Sequence, residues 1–288
     1  MIKRFFSVLV LISAGHAFAQ ENLINALASN KGADIQKYYQ IKPVLALDAT
    51  DVKNQGWSGT CWSYAGSSFL ESEALKKKKK PVDLAEIYTA RKIYLDKAIN
   101  YVRMQGALNW GDGGEPHDVI NSYRRYGVLP QSAYTGLING ATYNNFDEMQ
   151  KDLKPYLEEL VKMKKLPDNW KEVFEKKMDA YLGEVPKTFM YNGKIYDAHS
   201  FAKEYVGLED EKYIEMISVE DKPKYHNTLM AVPDNWSYDY AFNVNMEDLI
   251  RTIDYALKKG YTVGWEADVS EKFFSWQNGL AIVPEKDF

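Results

Sequence analysis

KNQGWSGTCWSYAG, residues Lys53 to Gly66, carries the only cysteine of a 288-residue chain, Cys61. Gln55 lies six residues before it, with Gly56 and Gly59 between, and Trp62, Ala65 and Phe69 follow at helical spacing. The pattern predicts a glycine loop feeding a helix N-terminus at Cys61. Unpaired N–H groups and the positive end of the helix dipole favour an anion there, and the thiolate is the reactive form of cysteine. A backbone N–H at the cysteine, together with the side-chain amide of Gln55, would receive the oxyanion formed when a carbonyl is attacked. The competing reading of a lone cysteine is a buried structural residue, among the types most often found inside proteins.

The stretch resembles the nucleophile segment of papain-like cysteine peptidases, in which Gln-Gly-x-Cys-Gly-x-Cys-Trp surrounds the catalytic cysteine. Gln55, Gly56, Gly59, Cys61 and Trp62 fall in register with it, and Ser58 stands where the papain pattern has a disulfide cysteine. Serine there, in a long insert-rich chain, looks more like the bleomycin hydrolase and aminopeptidase C branch than like the cathepsins. The resemblance implies an α+β fold of two lobes, helical and β-rich, with a cleft between them. It places Cys61 as nucleophile and Gln55 at the oxyanion, and it assigns Trp62, Asp112, Gly113 and Gly114 to the peptide substrate. The implied chemistry requires no cofactor and no metal. Members of the branch carry a C-terminal arm in the cleft and assemble as hexamers; no such arm is seen here, so a homo-oligomer is left open.

At 45% hydrophobic content the chain can bury a large core. Met1 to Ala19 reads as a secretory signal: Lys3 and Arg4, an apolar run from Phe5 to Ile12, then Ala17-Phe18-Ala19. The run is too short to span a membrane, and no membrane anchor is expected. The predicted mature chain, 20–288, is a single papain-like peptidase domain, periplasmic or secreted. Removing Lys3 and Arg4 takes the formal charge from −4 to −6, which argues against nucleic-acid binding, since that needs a basic face. One cysteine cannot form an internal disulfide, and an exported thiol open to oxidation is easier to understand if it is used.

The residues after Pro43 divide readily. The Cys61 helix should run to about Lys79, its five closing lysines, Lys76 to Lys80, being a solvated C-terminus. Asp83 and Glu86 suggest a capping box for a second helix to about Tyr101, with Leu84, Ile87, Ala90, Ile93 and Tyr94 on its core face. Asn109 to Gly114, NWGDGG, lacks the lysine and spacing of a phosphate-binding P-loop. It precedes a helix from Glu115 to Tyr126 capped by Gly127. In papain-like peptidases a paired glycine at this place holds the substrate backbone as an extended strand, and Gly113-Gly114 matches it, as does YGVLPQSAY after it. A residue without Cβ is what such a close backbone approach needs. Helical patterns over Asn145–Lys165, Asp168–Leu182 and Asp197–Tyr205 form a charged insert, about 145–206, which resembles the larger branch in this region. Strands are expected at Tyr213–Val219, Asn227–Val232, Tyr261–Val269 and Gly279–Val283, with a helix at Asn245–Lys259.

A cysteine peptidase needs a histidine to take and return the proton, with an amide or carboxylate orienting the ring. His117, His199 and His226 are the choices after the signal segment. His199 is 138 residues past Cys61, within the roughly 130–150 of short papain-like enzymes, but Asp197-Ala-His-Ser reads as a capped helix inside the insert. His117 reads as an exposed helix residue. His226 precedes Asn-Thr-Leu-Met-Ala-Val, a strand pattern, and is the better substitute. In the resembled branch the histidine strand and an Asn-Ser-Trp follow the part matched by Tyr261 to Val283; neither occurs here. The β lobe is therefore expected to be incomplete, its C-terminal part missing, and the chain as given to be inactive or very weak. The rival expectation is a peptidase-fold protein that binds peptides without cutting them. A transglutaminase-like acyl transferase fits Gln55 and Trp62 less closely.

Overall fold

The computed structural model describes residues 42–283 apart from 79 and 276. The expected signal segment and a mature start at Gln20 lie outside these residues. The chain divides into two units, Leu47–Trp265 and one formed by its two ends, Met1–Ala46 with Glu266–Phe288. Among the described residues no helix is long and apolar enough to cross a membrane.

The larger unit is α+β. Helix α1 spans Cys61–Lys78, α2 Glu86–Arg103, α3 Pro116–Tyr126, α4 Asp147–Lys162 and α5 Trp170–Leu182. A hairpin follows, β1 (Phe189–Tyr191) antiparallel to β2 (Lys194–Tyr196), then a short α6 (Ala198–Ser200) running into a π-helical turn, Phe201–Val206. The hairpin was not expected, although its turn is written in Asn192-Gly193, both at positive φ (49° and 78°), the dipeptide favoured where two strands meet tightly.

α1 buries a different face from the one its hydrophobic residues indicate. Ala65 is exposed, while Ser63, Ser67 and Glu71, each four residues apart, are buried together with Trp62 and Leu70. Small residues there allow α3 to come close: a Cβ on Gly66 would lie 2.4 Å from a methyl of Val119. α2 is the central element, and Leu84, Ile87, Ala90, Ile93 and Tyr94 are all at most 2% exposed, as its pattern predicts. Its start is corrected. Glu86 is the first helical residue and Ala85 the cap position, without a side-chain bond, so Asp83 and Glu86 form no capping box. Glu86 points inward to Lys53 instead.

The insert helices form largely as expected. α4 buries Met149, Leu153, Leu157 and Leu160, and α5 buries Trp170, Phe174, Met178 and Leu182, so the charged composition hides regular apolar stripes that join the main core. A three-stranded sheet of order β3-β5-β4 follows: β3 (Met216–Ile217) runs parallel to β5 (Tyr240–Asn243), and β4 (His226–Leu229) antiparallel to it. Helix α7, Met246–Lys258, opens after Asn245 and closes at Lys259, as expected. Tyr261 to Trp265 form no strand. The end unit contains β6 (Phe274–Ser275) antiparallel to β7 (Leu280–Ala281).

Candidate active site

The loop before Cys61 is closed on itself. Gln55 Nε2 donates to the Ser58 carbonyl at 2.6 Å, and Ser58 Oγ donates back to the Gln55 carbonyl at 2.9 Å. Ser58 Oγ also lies 2.6 Å from Thr60 Oγ1. Where the papain pattern has a disulfide cysteine, this chain thus braces the turn with a buried hydroxyl. An amide nitrogen carries two hydrogens, so Gln55 keeps one donor for a ligand. Gly56 sits at φ +66°, where a Cβ would lie 2.4 Å from the Asn144 carbonyl oxygen. Trp57 N donates to that carbonyl at 2.7 Å, and Phe146 N donates to Trp57 O at 3.1 Å, tying the loop to the start of α4.

Cys61 then opens α1, exposed to solvent. Ser63 N and Tyr64 N both donate to Thr60 O, at 2.9 and 3.2 Å, which begins the helix at the residue before the cysteine. The thiol therefore stands at the positive end of an 18-residue helix.

The loop's entry is held by a part-buried ion cluster, Glu71 and Glu86 buried and Asp83 exposed, that no local pattern announces. Lys53 Nζ lies 2.8 Å from Glu71, 2.6 Å from Asp83 and 2.5 Å from Glu86. Burial alone would lower the Lys53 pKa, but the three carboxylates outweigh it and the value rises. Burial pushes Glu86 upward despite Lys53. The three carboxylates stand close enough together for a metal, and the lysine ammonium lies at that centre.

The glycine loop meets this segment through Asp112. Gly59 N donates to Asp112 Oδ2 at 3.0 Å, Tyr94 OH to Oδ1 at 2.5 Å, and Gln150 Nε2 also to Oδ1. Trp62 Nε1 donates to the Asp112 carbonyl at 2.8 Å. Asp112, expected with the substrate-binding residues, thus spends both carboxylate oxygens on bracing two loops, and Trp62 is buried at 2% exposure. A Cβ on Gly114 would lie 2.8 Å from the Trp62 ring and 2.9 Å from Asp118 Oδ2; one on Gly113 would fall 2.3 Å from the Asp234 carboxylate. The residues expected to act together, Gln55, Cys61, Trp62, Asp112, Gly113 and Gly114, are therefore brought into one continuous patch. Beneath it Lys97, 2% exposed, donates to Gly111 O at 3.0 Å and to Gly113 O. Burial lowers its pKa, against the pull of Asp118, Asp234, Asp112 and Glu115.

The histidines lie as follows. His117, read as an exposed helix residue, is covered: its side chain is 11% exposed, Nδ1 lies 2.9 Å from Glu215 Oε2 and Nε2 3.1 Å from Ser237 Oγ. Burial acts to lower its pKa, but the Glu215 hydrogen bond and the charges of Asp118, Glu215 and Asp239 raise it overall. The ring ties α3 to Glu215, which precedes β3, and to the Ser237 loop. His199 sits in α6, where Asp197 accepts from Ser200 N at 2.7 Å, the capped turn its sequence predicts. His226 opens β4, exposed, with Nδ1 2.9 Å from the Lys224 carbonyl.

No family model and no curated protein matches the sequence. Among solved structures the chain is similar to PepW from Lactobacillus rhamnosis HN001 (DR20), determined as the selenomethionine derivative. The TM-score is 0.63 at 20% identity, over 90% of this chain and 68% of that one. The likeness is one of fold, and the protein it points to carries a peptidase's name.

Proposed function

We propose that this chain carries the nucleophile half of a cysteine peptidase site, of the papain-like kind represented by bleomycin hydrolase and aminopeptidase C. The carrying observation is the patch itself: Cys61 heads a helix, and Asp112 hydrogen-bonds both the residue two before it, Gly59, and the residue after it, Trp62, while joining them to the Gly113-Gly114 pair. A peptide laid along the glycines would present its carbonyl to Cys61. Attack by the thiolate would form a tetrahedral adduct whose oxyanion the remaining N–H of Gln55 and a helix N–H receive; breaking its C–N bond would leave the acyl-enzyme and release the amine, which takes its proton from water. Cleavage from the amino terminus, a peptide as partner and an exported location are parts of the same reading.

A second reading, peptide binding without cleavage, is favoured by one observation: both ring nitrogens of His117 are engaged by Glu215 and Ser237. One experiment separates the two: the pH dependence of iodoacetamide alkylation of Cys61, beside hydrolysis of aminoacyl-coumarins by wild type and Cys61→Ala. Turnover lost in Cys61→Ala supports the peptidase. Saturable peptide binding with no turnover supports the second reading, and neither binding nor turnover overturns both.

A further inference from the structure

We propose that Asp234 and the cavity beside it form a subsite for a basic side chain, so that the preferred peptides carry lysine or arginine at the position lying over Gly113. The inference rests on the peptide-binding reading above and names its substrate class. The cavity, of about 220 Å³, is lined by Leu108, Asn109, Val232, Pro233, Trp236 and Tyr238, among others. That is below the roughly 300–1,000 Å³ of sites for whole small ligands, and suits a single side chain.

Asp234 is not one of its lining residues but borders it by three connections. Its chain neighbours Pro233 and Asn235 both line the cavity. Asn109, another lining residue, donates to Asp234 Oδ1 at 3.2 Å. And the carboxylate lies against Gly113, the glycine expected to run beside the peptide backbone. Asp234 is exposed, and among the described residues Asn109 donates to its carboxylate, at Oδ1.

The chemistry of the walls selects the occupant. Leu108, Val232 and Pro233 suit an alkyl stem, the Trp236 and Tyr238 rings suit an alkyl chain or a cation, and the carboxylate suits its charged end. The wider field agrees in sign. Asp112, Glu115, Asp118 and Asp234 all act on Lys97, one ammonium among four carboxylates, and that ammonium is turned onto the Gly111 and Gly113 carbonyls. The His117 ring, nearby, already faces Glu215 and Asp239. A substrate cation is therefore drawn to this edge of the patch.

The test is alkylation of Cys61 in the full chain by three peptidyl chloromethyl ketones, followed by mass spectrometry. Each rate is normalised to iodoacetamide on the same variant. The reagents are acetyl-Lys-Ala, acetyl-norleucine-Ala, which keeps the stem without the charge, and norleucine-Ala with a free amino terminus. The lysine reagent is expected to half-saturate at about fivefold lower concentration than acetyl-norleucine, the size of a rim-exposed ion pair. Asp234→Asn should bring the two within about twofold, and Asp234→Lys should invert them. Equal behaviour in wild type, or a preference that survives Asp234→Asn, overturns the subsite. So does a preference that follows the free amino terminus. If all three reagents saturate without regard to charge, only the subsite fails. If none outpaces iodoacetamide or saturates, the peptide-binding reading and the subsite fall together.

Discussion

Asp112→Ala tests the joint on which the site depends. The substitution removes the acceptor of Gly59 N, Tyr94 OH and Gln150 Nε2. Gly59 is exposed and can turn to water, and Gln150 retains the Tyr94 oxygen at 3.2 Å. The Tyr94 hydroxyl has no such outlet: the residue is 2% exposed, and burial first, then Asp112, push its pKa well up. Leaving a buried donor without an acceptor costs about 1–3 kcal/mol, and the lost charge-assisted bond from Gln150 adds about 1, so the total is about 2–4 kcal/mol. Asp112→Asn can keep an oxygen toward Tyr94 and Gln150 but turns an amino group toward Gly59 N. It should cost only about 1 kcal/mol while detaching the residue two before Cys61. Urea unfolding followed by tryptophan fluorescence gives the stability, and iodoacetamide rates give the state of the loop. In a Tyr94→Phe background the cost of Asp112→Ala should shrink by about 1–2 kcal/mol, because the orphaned hydroxyl is gone. If Asp112→Ala stays within about 0.5 kcal/mol of wild type, or the two costs simply add, Asp112 is not the brace described.

Gly66→Ala should destabilise by about 1–3 kcal/mol by forcing α1 off α3, and Val119→Ala should recover part of that loss; an unchanged melting curve would show that the helices are not packed so closely. Lys53→Met leaves Glu71 and Glu86 buried without their cation and should cost about 3–5 kcal/mol, with Glu86→Gln restoring some of it; thermal unfolding measures both. For His117 the folded pKa is raised above the ordinary value of 6.5, so its contribution is fully present below about 6.5 and is lost as pH rises through the folded value. The stability gap between wild type and His117→Gln, measured by urea unfolding from pH 5.5 to 8.5, should therefore narrow toward high pH, and a gap that widens would contradict the ion tie to Glu215.

Local signals in this sequence were decisive where the structure itself is local. Gln55 to Trp62 lie in one loop and Gly127 ends α3 at φ 68°, because backbone geometry at a few adjacent residues settles each of these; Asn192-Gly193 carries a signal of the same kind, although the hairpin it makes was not expected. The α+β class, the helix opening at Cys61 and the apolar face of α2 were legible for that reason. The misreadings have one origin. Much of the buried face of α1, beside Trp62 and Leu70, is serine, glycine and glutamate, which no hydrophobic count detects, and Glu86 resembled a capping residue until Lys53, 33 positions earlier, gave it a partner. Tyr261 to Trp265 have strand composition but pair with no strand among the described residues, and a strand is stabilised by its pairing, not by its residues alone. Asp112 meets Gly59 across 53 positions, His117 meets Glu215 across 98, and Asp234 comes to lie on Gly113 from a distant loop. Bonds between residues so far apart depend on where the helices and sheet deliver their ends. The residues of the candidate site were thus present in the sequence, and their positions relative to one another were decided only by the packing.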